Sequence, residues 1–216
     1  MKNRFDLLIF DWDGTLVDSI DWIAHCLQNA ADDSRHAKPD YRSAKDVIGL
    51  SIDNAIKALF PDATPEEVNE LIVRYEAAYF SKKMSRDDLF PGTYEMLGSL
   101  KALGYHLAIA TGKTREGLNE ALLATGTMNF FCQTRCADET ESKPHPRMLE
   151  EIIQSTQIMP ERCLMIGDST HDLLMAQNAN IASIGIASGA HNLTQLQQHA
   201  PLHCFLKITE LIPLFV

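Results

Sequence analysis

Two aspartates one residue apart, Asp11 and Asp13, follow directly on the apolar run Leu7-Leu8-Ile9-Phe10 and precede Gly14-Thr15-Leu16. Carboxylates this close at the mouth of a buried strand repel each other unless a cation, usually a metal, offsets them. A solvated Asp-Gly turn closing a hairpin is the plain alternative, but the length and order of the segment point to use rather than accident. Further chemistry-bearing residues follow later apolar runs: Thr111-Gly112-Lys113 after residues 107–110, and Gly167-Asp168-Ser169-Thr170-His171-Asp172 after residues 163–166. The spacing of Asp168 and Asp172 lets both point to one side as a helix begins, so Asp168 could join Asp11 in holding a hard, oxygen-seeking cation such as Mg²⁺. Taken alone, Asp168 reads as a helix N-cap. Thr111 could donate its hydroxyl to a phosphoryl oxygen beside backbone N–H groups. Lys143, in Glu141-Ser142-Lys143-Pro144-His145-Pro146, is by itself a solvated loop lysine; beside an anionic site its flexible point charge can hold an oxyanion and a nucleophile together.

The elements that must position these residues are legible as a pattern. Short apolar runs without alternation, at Leu7–Phe10 and at residues 107–110, 163–166, 181–186 and 204–208, read as strands buried on both faces. Helical periods lie between them: Met96, Leu97, Leu100 and Leu103; Leu118, Ala121 and Leu122; Met148, Leu149, Ile152 and Ile153. The alternation predicts an α/β fold, a Rossmann-like parallel sheet with helices on both faces. In such sheets ligands bind beyond the carboxyl ends of the strands, where the residues above fall. Residues 20–84 break the rhythm with helical stripes and no strand: Ile20, Ile23, Ala24 and Leu27; Ile52, Ala55, Ile56, Leu59 and Phe60; and Val68, Leu71, Ile72, Tyr75 and Tyr79, opened by the capping sequence Thr64-Pro65-Glu66-Glu67. This predicts a small all-α cap domain of residues 19–84, inserted into a core of residues 1–18 and 85–216 and hanging over the paired aspartates.

With 216 residues, the chain suffices for one core and a satellite but not for two full-sized domains. A net charge of -10, with no basic cluster to offset it, excludes nucleic acid as a partner. No apolar run reaches membrane-spanning length, and acidic residues come too early for a secretory signal, so a cytoplasmic protein without a membrane partner is expected. Five scattered cysteines suggest neither a disulfide framework nor a zinc site and read as reduced, small apolar packing residues.

The motifs together resemble those of the haloacid dehalogenase superfamily, specifically its phosphatases with a helical cap inserted after the first motif. The resemblance rests on Asp11-Trp12-Asp13-Gly14-Thr15-Leu16-Val17-Asp18-Ser19, then Thr111, then Lys143-Pro144, then Gly167-Asp168 with Asp172, in that order and framing almost the whole chain. It implies that Asp11 is a nucleophile forming an aspartyl-phosphate and that Asp13 protonates the leaving oxygen and later activates water. It further implies that Thr111 and Lys143 bind the transferring phosphoryl group, together with Gly14, Thr15 and Gly112. Mg²⁺ would be held by Asp11, the carbonyl of Asp13 and Asp168, with Asp172 supporting through water. Many members carry Asn where this chain has Gly112, so any contact of that side chain is missing.

By the same resemblance Asp13 argues against a dehalogenase, and Ser51, where a Schiff-base lysine would stand, argues against phosphonoacetaldehyde hydrolysis. The whole-chain pattern is most similar to phosphoglycolate phosphatases, with a small phosphorylated metabolite as substrate. A sugar-phosphate mutase, a pyrophosphatase and a non-catalytic binding protein remain alternatives. Arg42, Lys45 and Lys57 on the cap, or Lys113 and Arg115 near Thr111, could meet a substrate carboxylate, or be solvated. Trp12 is expected to pack under the cap, the histidines to lie on the surface or in loops, and the Tyr75/Tyr79 stripe to face either a cap helix or a second copy, leaving monomer and homodimer both open.

Overall fold

A computed structural model describes residues 1, 4–32 and 34–216. Its centre is a six-stranded, fully parallel sheet in the order β3-β2-β1-β4-β5-β6, with β1 Leu7–Phe10, β2 His106–Thr111, β3 Gln133–Cys136, β4 Cys163–Gly167, β5 Ala182–Ile186 and β6 His203–Phe205. β1 lies between β2 and β4, its residues paired with His106 to Ile109 on one side and Cys163 to Ile166 on the other. Alternate residues serve opposite faces. Leu8 and Phe10 join the cluster of α5 (Thr93–Ala102) and α6 (Arg115–Thr125), whereas Leu7 and Ile9 join that of α7 (Arg147–Thr156) and α8 (Thr170–Asn178). Burial on both faces accounts for the unbroken apolar runs.

Among the described residues four α-helices intervene between β1 and α5: α1 Ile20–Ala30, α2 Tyr41–Asp46, α3 Ile52–Leu59 and α4 Pro65–Tyr79. They share a hydrophobic cluster of their own, built on Ile23, Leu27, Ile56, Phe60, Val68 and Leu71. α4 opens as its sequence predicts: Thr64 Oγ1 accepts the Glu67 N–H, Glu67 accepts the Thr64 N–H, and Pro65 stands at the first position. The two chain segments joining the insert to the sheet run side by side, with Asp18 N–H donating to Asp88 O at 2.9 Å and Phe90 N–H to Leu16 O at 3.0 Å.

Three elements depart from the sequence pattern. β3, Gln-Thr-Arg-Cys, carries no apolar run because it is an edge strand with only Cys136 buried. α2 is a six-residue helix held by an Asp40 cap on the Ser43 N–H, too short to show a stripe. The run at 204–208 is not one strand: β6 ends at Phe205, and Ile208 enters the core from a 3-10 segment, Ile208–Leu214. Trp12 is fully buried, but among residues of the core such as Leu97 and Leu118 rather than under the cap, and its indole N–H has no hydrogen-bond partner. Among the described residues no helix is long and apolar enough to cross a membrane, and all five cysteines are free thiols.

Candidate active site

Asp11 is the first residue beyond β1, its N–H still bonded to Ile166 O of β4 at 2.9 Å, so the parallel pairing delivers its carboxylate to the carboxyl edge of the sheet. Asp168 follows β4 in the same way, and Asp172 lies in the first turn of α8. Asp11, Asp168 and Asp172 are all buried and bring carboxylate oxygens within 4.8 Å of one another. Lys143, its side chain fully buried, reaches them from the loop before α7, with Nζ 2.6 Å from Asp11 Oδ1 and 2.7 Å from Asp172 Oδ1. A lone loop lysine in the sequence, Lys143 is assigned to the phosphoryl group by the family resemblance, and it is buried here against Asp11 and Asp172. Burial opposes its charge, but the two carboxylates outweigh that and raise its pKa.

Three carboxylates and one ammonium leave a buried excess of negative charge. That excess disfavours ionisation of the acids. Desolvation raises the Asp11 pKa well above the carboxylate range, Lys143 opposes this, and Asp172 and Asp168 add to it. Desolvation, and next Asp172, raise Asp168 to about 7. An all-oxygen donor set with surplus negative charge fits a hard divalent cation.

Asp168 is not a helix cap. Ser169 caps α8 in a reciprocal box with Asp172, and the Asp168 carboxylate accepts instead from Thr15 Oγ1 at 2.7 Å and Ala190 N–H at 2.6 Å. Glycines make room for it: a Cβ on Gly14 would stand 2.3 Å, and one on Gly189 1.9 Å, from Asp168 Oδ2. Gly14 and Thr15, expected to contact phosphate, therefore serve Asp168. The Gly14 N–H is bonded to Val17 O, and the Thr15 hydroxyl is spent on the carboxylate.

Asp13 stands apart from this cluster. Its Oδ1 accepts from Ser19 Oγ at 2.7 Å, and both its oxygens bind Lys113 Nζ, at 3.1 and 2.9 Å. Asp11, Asp13, Thr111, Gly112 and Lys113 line one cavity of about 80 Å³, roofed by Ile48, Gly49 and Leu50 and by Tyr75 and Tyr79 of α4. Lys113, a candidate in the sequence for meeting a substrate carboxylate, does line the cavity, whereas its bond to Tyr79 was not anticipated: Lys113 Nζ donates to the Tyr79 hydroxyl at 2.5 Å. The helical period of Tyr75 and Tyr79 was visible, but not that it points at the core, because the register of the insert over the sheet is a tertiary property. Arg115, by contrast, turns away to Glu139 and Thr134, Lys57 pairs with Asp53 on the surface, and Arg42 and Lys45 do not line the cavity.

Gly112 has a positive reason. A Cβ there would lie 2.4 Å from Leu50 O and 2.7 Å from Gly49 O, so the backbone of the insert occupies the place of the missing side chain. Ser51 N–H to Ser142 Oγ at 2.8 Å and His171 Nε2 to Asp46 O at 3.1 Å add to the seat. Two histidines differ from the surface expectation: His191 is buried and accepts the Thr170 N–H, and the partly buried His171 packs edge-on against it.

The chain matches the model of the haloacid dehalogenase-like hydrolase family over residues 8–186. A relative named as a probable phosphatase, IndB of Dickeya dadantii, is 34% identical over 90% of this chain and 86% of its own length. A phosphoglycolate phosphatase of Colwellia psychrerythraea is 31% identical over 96% and 95%. In fold, the chain superposes on a haloacid dehalogenase-like family hydrolase from Streptococcus pneumoniae with a TM-score of 0.83, at 23% identity over 99% of both chains. The carboxylate-lined end of the parallel sheet and these likenesses agree, and the chain belongs to the haloacid dehalogenase-like hydrolases.

Proposed function

We propose that the protein is a Mg²⁺-dependent phosphatase that hydrolyses a small phosphomonoester through an aspartyl-phosphate, of the phosphoglycolate phosphatase type. In this reading residues 19–84 are a cap domain over a core of residues 1–18 and 85–216. The observation that carries the proposal is the separate placement of the two aspartates. Asp11 faces the cavity from within the Lys143–Asp168–Asp172 cluster, and Asp13 faces it from outside that cluster.

Asp11, Asp168 and Asp172, with the carbonyl of Asp13, would hold Mg²⁺; a divalent cation there supplies charge neutralisation of the phosphoryl oxygens and orients the ester. Lys143 holds Asp11 Oδ1 in place and adds a second positive charge under the transferring group. An Asp11 oxygen attacks phosphorus while the bond to the ester oxygen breaks, and Asp13 gives that oxygen its proton. Asp13 then takes a proton from water, whose oxygen attacks phosphorus, and the Asp11 carboxylate is released with inorganic phosphate. Thr111, buried at the end of β2 and lining the cavity, would bind a phosphoryl oxygen. The insert seated on Gly112 excludes bulk water, and the small cavity favours a compact ester.

Phosphate release measured with Mg²⁺ across small phosphomonoesters, including 2-phosphoglycolate, tests this. Turnover abolished by EDTA and lowered at least about 10³-fold by Asp11→Asn is the expected result. Turnover that survives Asp11→Asn contradicts it, as does interconversion of isomeric sugar phosphates without phosphate release.

A further inference from the structure

Among the described residues lining the cavity Lys113 is the only cation, and its side chain is just 7% exposed. It is fully engaged: both oxygens of Asp13, the Tyr79 hydroxyl at 2.5 Å, and the face of the Tyr79 ring 4.6 Å below its Nζ. In the phosphatase reading Asp13 must meet the ester oxygen of the substrate, yet both oxygens of its carboxylate are paired with an ammonium. Whatever substituent the ester oxygen carries therefore arrives against Lys113 and Tyr79. A neutral substituent would have to displace a buried charge from its partner without replacing it, which is costly. An anionic group close to the ester oxygen could take over the ion pair, and a lysine, a point charge on a flexible stem, can turn from one carboxylate to another without losing a geometry-bound contact. The rest of the lining offers an anion nothing better: Ile23, Leu27, Ile48 and Ile52 are apolar, and Glu76 carries the wrong sign.

We infer that Lys113, held by the Tyr79 hydroxyl, is the specificity-determining residue, which reads an anionic group, carboxylate or phosphoryl, next to the scissile oxygen of the substrate. The inference deepens the phosphatase reading and rests on it. Because Lys113 lies on the core and Tyr79 on the insert, the second anion would be sensed where the two meet.

The test measures binding rather than turnover, so that it separates from the reading it rests on. With Mg²⁺ present, titration calorimetry compares 2-phosphoglycolate, pyrophosphate and the neutral 2-hydroxyethyl phosphate on Asp11→Asn, and on the same variant carrying Lys113→Gln or Lys113→Arg. The expected result is tighter binding of one of the anionic ligands than of 2-hydroxyethyl phosphate by at least about 30-fold, reduced to less than about threefold by Lys113→Gln and largely kept by Lys113→Arg. Which of the two anionic ligands wins distinguishes a carboxylate from a phosphoryl group. Equal binding of charged and neutral ligands, or a preference that survives Lys113→Gln, overturns the inference even if the wild-type enzyme releases phosphate. Absence of phosphate release by the wild type overturns the phosphatase reading instead.

Discussion

Asp168 concentrates the chemistry of the site in one side chain. Four constraints converge on its carboxylate: the Thr15 hydroxyl, the Ala190 N–H, and the absent side chains of Gly14 and Gly189. So held, it cannot turn away from Asp172, and in the metal-free protein burial and that neighbour raise its pKa to about 7. A carboxyl raised in the folded state favours folding fully below the unfolded value near 4, and that contribution is lost as pH rises through about 7. A cation at Asp11, Asp168 and Asp172 needs the ionised form, so it competes with protons across the same window. The melting temperature should therefore rise with saturating Mg²⁺ by about 5–10 °C at pH 7.5, by clearly less at pH 5, and hardly at all in Asp168→Asn. Thermal denaturation with Mg²⁺ and with EDTA at the two pH values checks this. An equal shift at both would mean that the cation does not bind through this cluster. The individual acids were legible in the sequence because carboxylates at strand ends are few and conspicuous. The service of Gly14 and Thr15 to Asp168 was not, because residues 153 apart in sequence meet only once β1 and β4 pair.

At the scale of elements, the sheet was read from its apolar runs because β1, β2 and β4 are buried on both faces, and the insert was read from its stripes because α1, α3 and α4 each bury one face. β3 escaped for the opposite reason, since an edge strand needs no apolar run. What the pattern could not convey is how closely the insert sits on the sheet. The contact of the 49–50 backbone with Gly112 settles that distance, and the lack of a side chain at 112, which the sequence alone presents as a lost contact, is the condition for it. Gly112→Asn should push the insert off its seat while leaving the sheet intact. Because misplacement of about 1 Å at a catalytic centre can cost about 10²-fold, kcat/KM for phosphate release should fall by that order, with a cooperative unfolding transition retained. Wild-type kinetics in Gly112→Asn would show that the seat has no bearing on turnover.

For the whole molecule, the sheet supplies the reactive edge and the helical insert closes it, joined by two adjacent segments near residues 16–18 and 88–90. Asp11 and Asp13 follow β1 and Lys143 precedes α7, and the fold brings these two distant stretches of the chain together at one edge of the parallel sheet. The family and the order of the motifs were legible at once, whereas the bridge from Lys113 to Tyr79 belongs to the assembled molecule. The central claim is that Asp11 itself carries the phosphoryl group between the two half-reactions. Borohydride added during turnover of 2-phosphoglycolate with Mg²⁺ reduces an acyl phosphate to an alcohol, and peptide mass spectrometry then locates it. Conversion of residue 11 to homoserine, dependent on substrate and Mg²⁺, is the predicted result; turnover with Asp11 unmodified, or with reduction at another carboxylate, would contradict the account.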